Sequence, residues 1–344
     1  MRMAGLSMYE GLWLKGSLHC HSSLSDGLLS PDEVARFYAE KNYDFLSITD
    51  HEKLTKVASF SGIYCSGVEV SRGKSRLGEP YHIVILGIDD PAILGINDPQ
   101  NLIDYVNSAG GLAIIAHPYW SNLTHEDLSQ LQGYAGIEIY NTGCDVEVAK
   151  GYGLVHWDSL LSSNRKVMGI AVDDAHRYVR PPIDADGGYI WINVNDARLK
   201  DALESIRAGR FYSSMAPKII YFHYTQSSIR VKSTPAVKLN LIAPNGRGFS
   251  ISLNTIQGII DCWRDPERKR IIERMITSLD YVDEGSYKAV YAETVKNEGI
   301  SVKYNCEGVT EIEIRRDLSK YTYFRVEVID HEGRYAWTNP VHNP

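Results

Sequence analysis

Along the first two thirds of the chain, short apolar runs alternate with stretches in which apolar residues recur at helical spacing. The run "LKGSLHCH" is followed by a helix start at Ser30, where Pro31 takes the first helical position and Glu33 completes a capping box. Then come "YDFLSITDH", "IYCSGVEVS", "YHIVILGI", "GLAIIAHP", "GIEIYN", "VMGIAVDDAH" and "GGYIWINV", with helical spacing near 98–109, 124–132, 145–163 and 196–208. Strand followed by helix, repeated, predicts a mainly parallel α/β sheet, and roughly seven such units favour a closed barrel over an open sheet. After "GRFYSSMAPK" the pattern changes to β-branched and tyrosine-rich runs such as "IRVKSTPAVKLNLIAP", "EIEIRR" and "YFRVEVIDHEGRYAWTNPV", which read as a β-sandwich. "DPERKRIIERMITSL" and "SYKAVYAETVKN" have helical spacing, so a helical insertion is expected at about 256–298.

With 344 residues the chain is long enough for two domains, expected at 1–214 and 215–344. Hydrophobic residues at 44%, charged residues at 23% and a net charge of -7 argue against a disordered tail and a general nucleic-acid-binding surface. The five cysteines, 20, 65, 144, 262 and 306, form no CxxC pair, which fits reduced thiols. The opening "MRMAGLSMYEGLWLKG" has no apolar stretch of signal length, and no later segment reads as a membrane span. A cytoplasmic protein is expected.

Polar residues gather where the predicted strands end. His19 and His21 close the first run and share one face of an extended chain, with Cys20 on the other. Asp26 follows in an Asp-Gly turn, Asp50 and His51 follow "FLSIT", Glu69 closes "YCSGVE", His117 follows "AIIA", and Asp174 and His176 follow "MGIAV". In parallel α/β folds the carboxyl ends of the strands share one rim, so residues distant in sequence meet there. His82 begins its strand instead. An antiparallel hairpin over Tyr64–Leu86, with "SRGKSRLGEP" as its loop, would bring it to Glu69 on the same rim.

Imidazole mixed with carboxylate and no thiolate suits two or three divalent ions of zinc, manganese or iron rather than a cysteine-rich structural site. Water between such ions becomes a hydroxide nucleophile near neutral pH, which points to hydrolysis, most commonly of phosphate esters.

The motifs "HCHSSLSDG", "SITDH", "GVE", "YHIVILG", "IAHP", "GIEIYN" and "DDAH", in order over roughly residues 15–214, resemble those of the PHP (polymerase and histidinol phosphatase) superfamily of metal-dependent phosphoesterases. The segments "GRFYSSMAP" and "VEVIDHEGRYAWTNP" are similar to the C-terminal extension of its two-domain CehA/McbA-like branch. The resemblance implies a distorted (βα)7 barrel with a trinuclear site. It would place His19, His21 and Asp174 on one ion, Glu69 as the bridge to a second completed by His82 and His117, and Asp26, His51 and His176 on a third. Two positions depart from the family pattern. Ser17 stands where an acid usually precedes the first histidine, and Asp173 adds a carboxylate.

Arg72, Lys74 and Arg76, in the loop between Glu69 and His82, and Arg177, beside His176, are candidates for contacts to substrate phosphate. Cys20 reads as packing, and His125, His156, His223, His331 and His342 as surface or structural residues. Trp191, Tyr221, Tyr224, Tyr321, Tyr323 and Trp337 read as core rather than as a stacking surface. The expected activity is cleavage of a phosphate mono- or diester by a metal-bridging hydroxide, with Glu69, His117, Asp174 and His176 as the catalytic set. The substrate would be a small phosphorylated molecule, preferably a nucleotide or oligonucleotide end. Hydrolysis of a non-phosphate ester or amide on the same site is the alternative within enzymes, and a polymer-binding module with vestigial catalysis is the alternative outside them. Oligomeric state is not legible.

Overall fold

The computed structural model describes residues 11–342, which form two compact units meeting at Met215/Ala216. Most of the segment read for an export signal lies in residues 1–10, outside the described residues. No helix among the described residues is long and apolar enough to cross a membrane.

In the N-terminal unit the strands are β1 (Leu12–Ser17), β2 (Phe45–Leu46), β3 (Ile63–Tyr64), β4 (Gly67–Arg72), β5 (Tyr81–Leu86), β6 (Leu112–Ile115), β7 (Gly136–Asn141), β8 (Met168–Val172), β9 (Tyr189–Val194) and β10 (Phe211–Ser214). Helices α1 (Pro31–Glu40), α2 (Pro99–Ser108), α3 (His125–Gln130), α4 (Thr142–Val148), α5 (Leu154–Ser162) and α6 (Leu199–Arg207) lie between them. The start of α1 is as its sequence predicts: Glu33 accepts the Ser30 amide at 2.8 Å, with Pro31 at the first position.

Pairing is less uniformly parallel than the strand-helix rhythm predicts. β1, β2 and β3 pair in parallel, as do β6, β7 and β8. β4, β5 and β6 are antiparallel neighbours, and β9 pairs antiparallel with both β1 and β10. The local reason is the connection. A parallel pair needs a long crossover, usually helical, whereas β4 returns through a loop as a hairpin and the 173–188 link from β8 to β9 contains no helix. The expected hairpin within Tyr64–Leu86 is therefore present, with Ser71 opposite His82. Bridges between Cys20 and Ala175 and between His51 and Glu69 tie the two strand runs together where the polar residues gather.

One core fills the space between the runs, with Leu18, Phe45, Leu86, Ile114, Ile170, Ile190, Ile192 and Phe211 buried together. A second cluster under α1 holds Cys20, Val34, Tyr38, Ile48 and Tyr178, so Cys20 is a packing residue. β6 and β7 are buried at every position, as expected for strands covered on both faces.

Among the described residues, the strands of the C-terminal unit pair antiparallel, in two runs. One comprises β11 (Ile219–Tyr224), β12 (Ser228–Ala236), β18 (Gly308–Arg315), β17 (Gly299–Asn305), β16 (Lys288–Thr294) and β15 (Ile276–Asp283), in that order. In the other, β14 (Gly248–Ser252), β13 (Lys238–Ile242), β19 (Tyr323–Ile329) and β20 (Tyr335–Thr338) follow one another, and β21 (Val341–His342) pairs with β19. Trp337 and Tyr323 are fully buried, and Tyr321 is buried as well. Trp191 sits in β9 of the first unit, stacked on Tyr212.

The helical insertion is shorter than expected. It consists of α7 (Leu253–Arg264) and α8 (Pro266–Ile272), and "SYKAVYAETVKN" forms β16 instead of a helix. Its alanines and lysines favour a helix, but β16 lies between two strands and pairs along both edges. Tertiary pairing overrides the local preference.

Candidate metal centre

Apart from Asp26, which stands in the turn before α1, each candidate ligand follows a strand or belongs to the β4–β5 hairpin. His19 and His21 follow β1, His51 follows β2, Glu69 is in β4, His82 in β5, His117 follows β6, and Asp174 and His176 follow β8. All nine candidate ligands come together, in three groups that share residues. One group is His19, His21, Glu69 and Asp174; a second is Glu69, His82 and His117; a third is Asp26, His51 and His176, joined also by His21.

His19 Nε2 lies 3.1 Å from His21 Nε2 and 3.0 Å from Glu69 Oε2, and His21 Nε2 lies 3.0 Å from Asp174 Oδ1. Four ligands held at about 2.0–2.2 Å from one ion sit roughly 3.3 Å from each other, so these separations suit a shared cation. The other Glu69 oxygen, Oε1, is 2.9 Å from His82 Nδ1 and 3.3 Å from His117 Nε2. Glu69 thus turns one oxygen to each of two groups. Asp26 reaches His176 Nε2 at 3.5 Å and His51 Nε2 at 3.6 Å.

The donor chemistry demands positive charge. His19 gives its Nδ1 hydrogen to Glu138 Oε1 at 2.7 Å, which leaves the Nε2 lone pair facing two carboxylate oxygens. His176 donates from Nδ1 to the backbone carbonyl of Asp174, and His117 Nδ1 is paired with Ser121 Oγ. In each case the fold fixes one ring nitrogen and turns the other toward acids, an arrangement that orients imidazole for a metal. Burial alone would push the His19 and His21 pKa values down, but Asp174, Glu69 and, for His19, Glu138 outweigh it, and His21 is raised to about 9. Burial works against the charged forms of Glu69 and Asp174 too, yet the surrounding histidines hold both well below the usual carboxylate range. A proton or a cation must occupy this cluster, and the nitrogen and oxygen donor set fits divalent ions.

Two candidate ligands sit on strained backbone. His117 has φ +23°, although it precedes Pro118, and Asp174 has φ +54°. Glu138 Oε2 holds the His117 amide at 2.7 Å, and the His19 carbonyl holds the Asp174 amide at 2.9 Å. Such strain persists only where the surroundings over-determine it, and it concentrates at functional sites.

Four residues support the candidate ligands, and two of them, Glu138 and Asn141, escaped the sequence reading. Glu138, within the quoted "GIEIYN", is buried and pairs with His19, the His117 amide and Asn141. It supplies the orienting acid for His19 that Ser17 does not. Asn141 donates to both Glu138 and Asp174 Oδ2. Asp50 receives the Ser22 amide and hydroxyl and the Ser25 and Thr55 hydroxyls, bracing the turn that carries Asp26. Asp173 accepts the amides of Asp186, Gly187 and Gly188 and the Tyr38 hydroxyl, and burial raises its pKa to about 6.

A cleft of about 410 Å³ opens over the three groups, lined further by Leu28, Trp120, Cys144, Glu147, Arg177, Arg180 and Asp184. The cations expected to meet substrate are placed differently. Arg72 is buried, with its guanidinium against Glu52 and the Leu94 and Ile96 carbonyls, because its strand position turns it inward. Lys74 and Arg76 are exposed outside the cleft lining, and Arg76 approaches Glu126. Arg177 lines the cleft but is paired with Glu147. Arg180, also in the lining and exposed, was not singled out by sequence.

No family model matches the chain. A 46-residue stretch, 13% of the chain, is 46% identical to the DNA polymerase/3'-5' exonuclease PolX of Bacillus subtilis, and the match spans only 8% of that protein. A solved two-domain protein from Bacteroides vulgatus, containing a predicted PHP-like metal-dependent phosphoesterase, aligns with TM-score 0.51 and 15% identity over 96% of this chain and 94% of the other. An amidohydrolase from Chromobacterium violaceum with bound sulfate overlaps 57% of this chain and 96% of its own length at 17% identity and TM-score 0.40. Nearly the whole chain therefore shares the fold of a two-domain protein with a PHP-like phosphoesterase domain, the architecture that the sequence motifs resemble.

Proposed function

We propose that the protein is a metal-dependent phosphoesterase of the two-domain PHP type, built on a distorted (βα)7 barrel, which cleaves a phosphate mono- or diester. The observation that carries this reading is Glu69, whose two oxygens face two different groups of histidines while the third group closes around Asp26. His19, His21, Glu69 and Asp174 would hold one divalent ion, Glu69, His82 and His117 a second, and Asp26, His51 and His176 a third. Zinc, manganese or iron suits these donors. When bound, such ions neutralise charge on substrate oxygens and acidify water.

The chain's own contribution is orientation. Glu138, Ser121 and the Asp174 carbonyl fix the outer nitrogens of His19, His117 and His176, so that the inner nitrogens converge. His117, Asp174 and Glu69 have almost no solvent exposure, which strengthens their electrostatic effect on a reacting phosphate. His176 and Asp26 are partly exposed at the cleft, where a substrate oxygen can approach them. A nucleotide or an oligonucleotide end is the preferred substrate, on the size of the cleft and its aromatic edge.

The test combines elemental analysis of purified protein with hydrolysis of an aryl phosphate monoester and diester, with and without added manganese. Two to three equivalents of metal and metal-dependent product release are expected, and the ratio of the two rates separates phosphatase from nuclease action. Full metal occupancy with no turnover of either ester would overturn the proposal and favour carbonyl hydrolysis or binding.

A further inference from the structure

Apart from the candidate ligands, the cleft lining divides into apolar and charged parts, and most of the charged part is already engaged. Asp184 accepts the amides of His176, Arg177 and Tyr178, and Arg177 is paired with Glu147. Arg180 has no carboxylate partner among the described residues and stands exposed in the lining. On the apolar side Trp120 keeps 38% of its surface exposed, although a large indole is normally packed away. Its ring lies edge-on 5.1 Å from the His117 ring and 5.8 Å from the His82 ring, beside the second group of ligands. Leu28, 47% exposed, also lines the cleft.

Trp120 is placed by the same loop as His117. The Ser121 amide donates to the His117 carbonyl, Ser121 Oγ meets His117 Nδ1, and the Asn122 amide bonds to Tyr119. The indole is thus held on a tight turn next to a candidate ligand and still offers an open surface.

From this arrangement we infer that Trp120 and Arg180 set the substrate class: an ester whose organic part carries a planar aromatic ring, stacked on Trp120, and whose negative charge is met by Arg180. The inference rests on the phosphoester reading and narrows it. Aromatic stacking tolerates many rings and selects strongly against substrates that have none. A cation free of an internal carboxylate gathers anions without first breaking an ion pair.

Manganese-loaded protein is assayed with a nucleoside 5'-monophosphate and with ribose 5-phosphate, which keep the same phosphate and sugar and differ in the base. Binding of each is titrated in parallel. The wild type should favour the nucleotide at least tenfold in kcat/KM, with the difference mainly in KM. Trp120→Ala should reduce that preference about tenfold and Trp120→Phe should retain most of it. Arg180→Gln should raise KM for both compounds several-fold and flatten their dependence on salt. Equal handling of the two compounds by wild type, or an unchanged preference in a folded Trp120→Ala protein, overturns the inference and leaves the phosphoester reading standing. Turnover of neither compound and of neither aryl phosphate ester, together with nucleotide binding that Trp120→Ala abolishes, supports the stacking role and removes the phosphoester reading. Turnover of none of these esters and binding of neither compound overturns both.

Discussion

Glu138 Oε1 lies 2.7 Å from His19 Nδ1, and both side chains are sealed from solvent. The carboxylate fixes the tautomer of the imidazole that opens the candidate ligand cluster, and its second oxygen grips the His117 backbone. One acid therefore aligns ligands of two groups. Glu138→Gln should keep the fold, weaken metal affinity about 10–100-fold and reduce turnover at limiting metal. Titration with manganese or zinc, read by calorimetry, checks this. Unchanged affinity would reduce Glu138 to a packing residue.

Glu69→Gln should be more severe. An amide cannot supply two anionic oxygens, so the first two groups lose their common member, and metal content should fall by at least one equivalent with nearly all turnover lost. Elemental analysis beside an activity assay reports both. Retention of full metal and activity would refute the bridging role.

In metal-free protein the pKa of His21 is raised to about 9 and that of His19 is also raised. A raised folded pKa means that this stabilisation is complete below the unfolded value of about 6.5 and is lost as pH rises through about 9. Metal must displace those protons, so apparent metal affinity should increase from pH 6.5 to 9. Thermal melts in chelator should show the apo protein weakening over the same window. The two trends run in opposite directions, and pH-independent affinity would contradict the proton-displacement account.

Arg72→Ala separates a structural arginine from a substrate-binding one. Its side chain is 7% exposed and bonded to Glu52 and to the Ser71, Leu94 and Ile96 carbonyls, so removal leaves partly buried acceptors unpaired. Stability should drop by about 2–3 kcal/mol. KM should not move. A raised KM with unchanged melting temperature would restore the substrate role first expected for this residue.

Asp173→Ala should likewise act on stability. Three successive amides, Asp186 to Gly188, lose their acceptor, along with the Tyr38 hydroxyl. A cost of about 3 kcal/mol is expected, read by denaturant unfolding of metal-free protein. Little change would indicate that the 184–188 segment is held by other contacts.

The cluster of candidate ligands was legible because strand ends are short, polar and punctuated. "HCH", "DH", "HP" and "DDAH" each break an apolar run, and all of these breaks fall on one rim. The hairpin that brings His82 to Glu69 was legible from its Gly- and Pro-containing loop. Glu138 was hidden because a single acid inside the apolar "GIEIYN" gives no periodic signal, and its partners are 119 and 21 residues away. The direction of Arg72 was hidden because a charged loop and a strand end look alike until register is known. The β16 segment was misread as helix because its pairing partners, not its own residues, decide its state.

The left-handed backbone at His117 and Asp174 has a consequence for how far this protein can be improved. Both positions would be easier for glycine, which adopts that conformation without penalty, and neither can become glycine without losing a donor. Robustness and activity are therefore opposed at these two residues. Selection for heat resistance in chelator above about pH 9, where the His21 proton that pairs with Asp174 is lost, should recover inert Asp174→Gly variants, whereas the same selection with metal supplied should reject them. The environment in which the protein is screened would decide whether a tougher variant is still an enzyme.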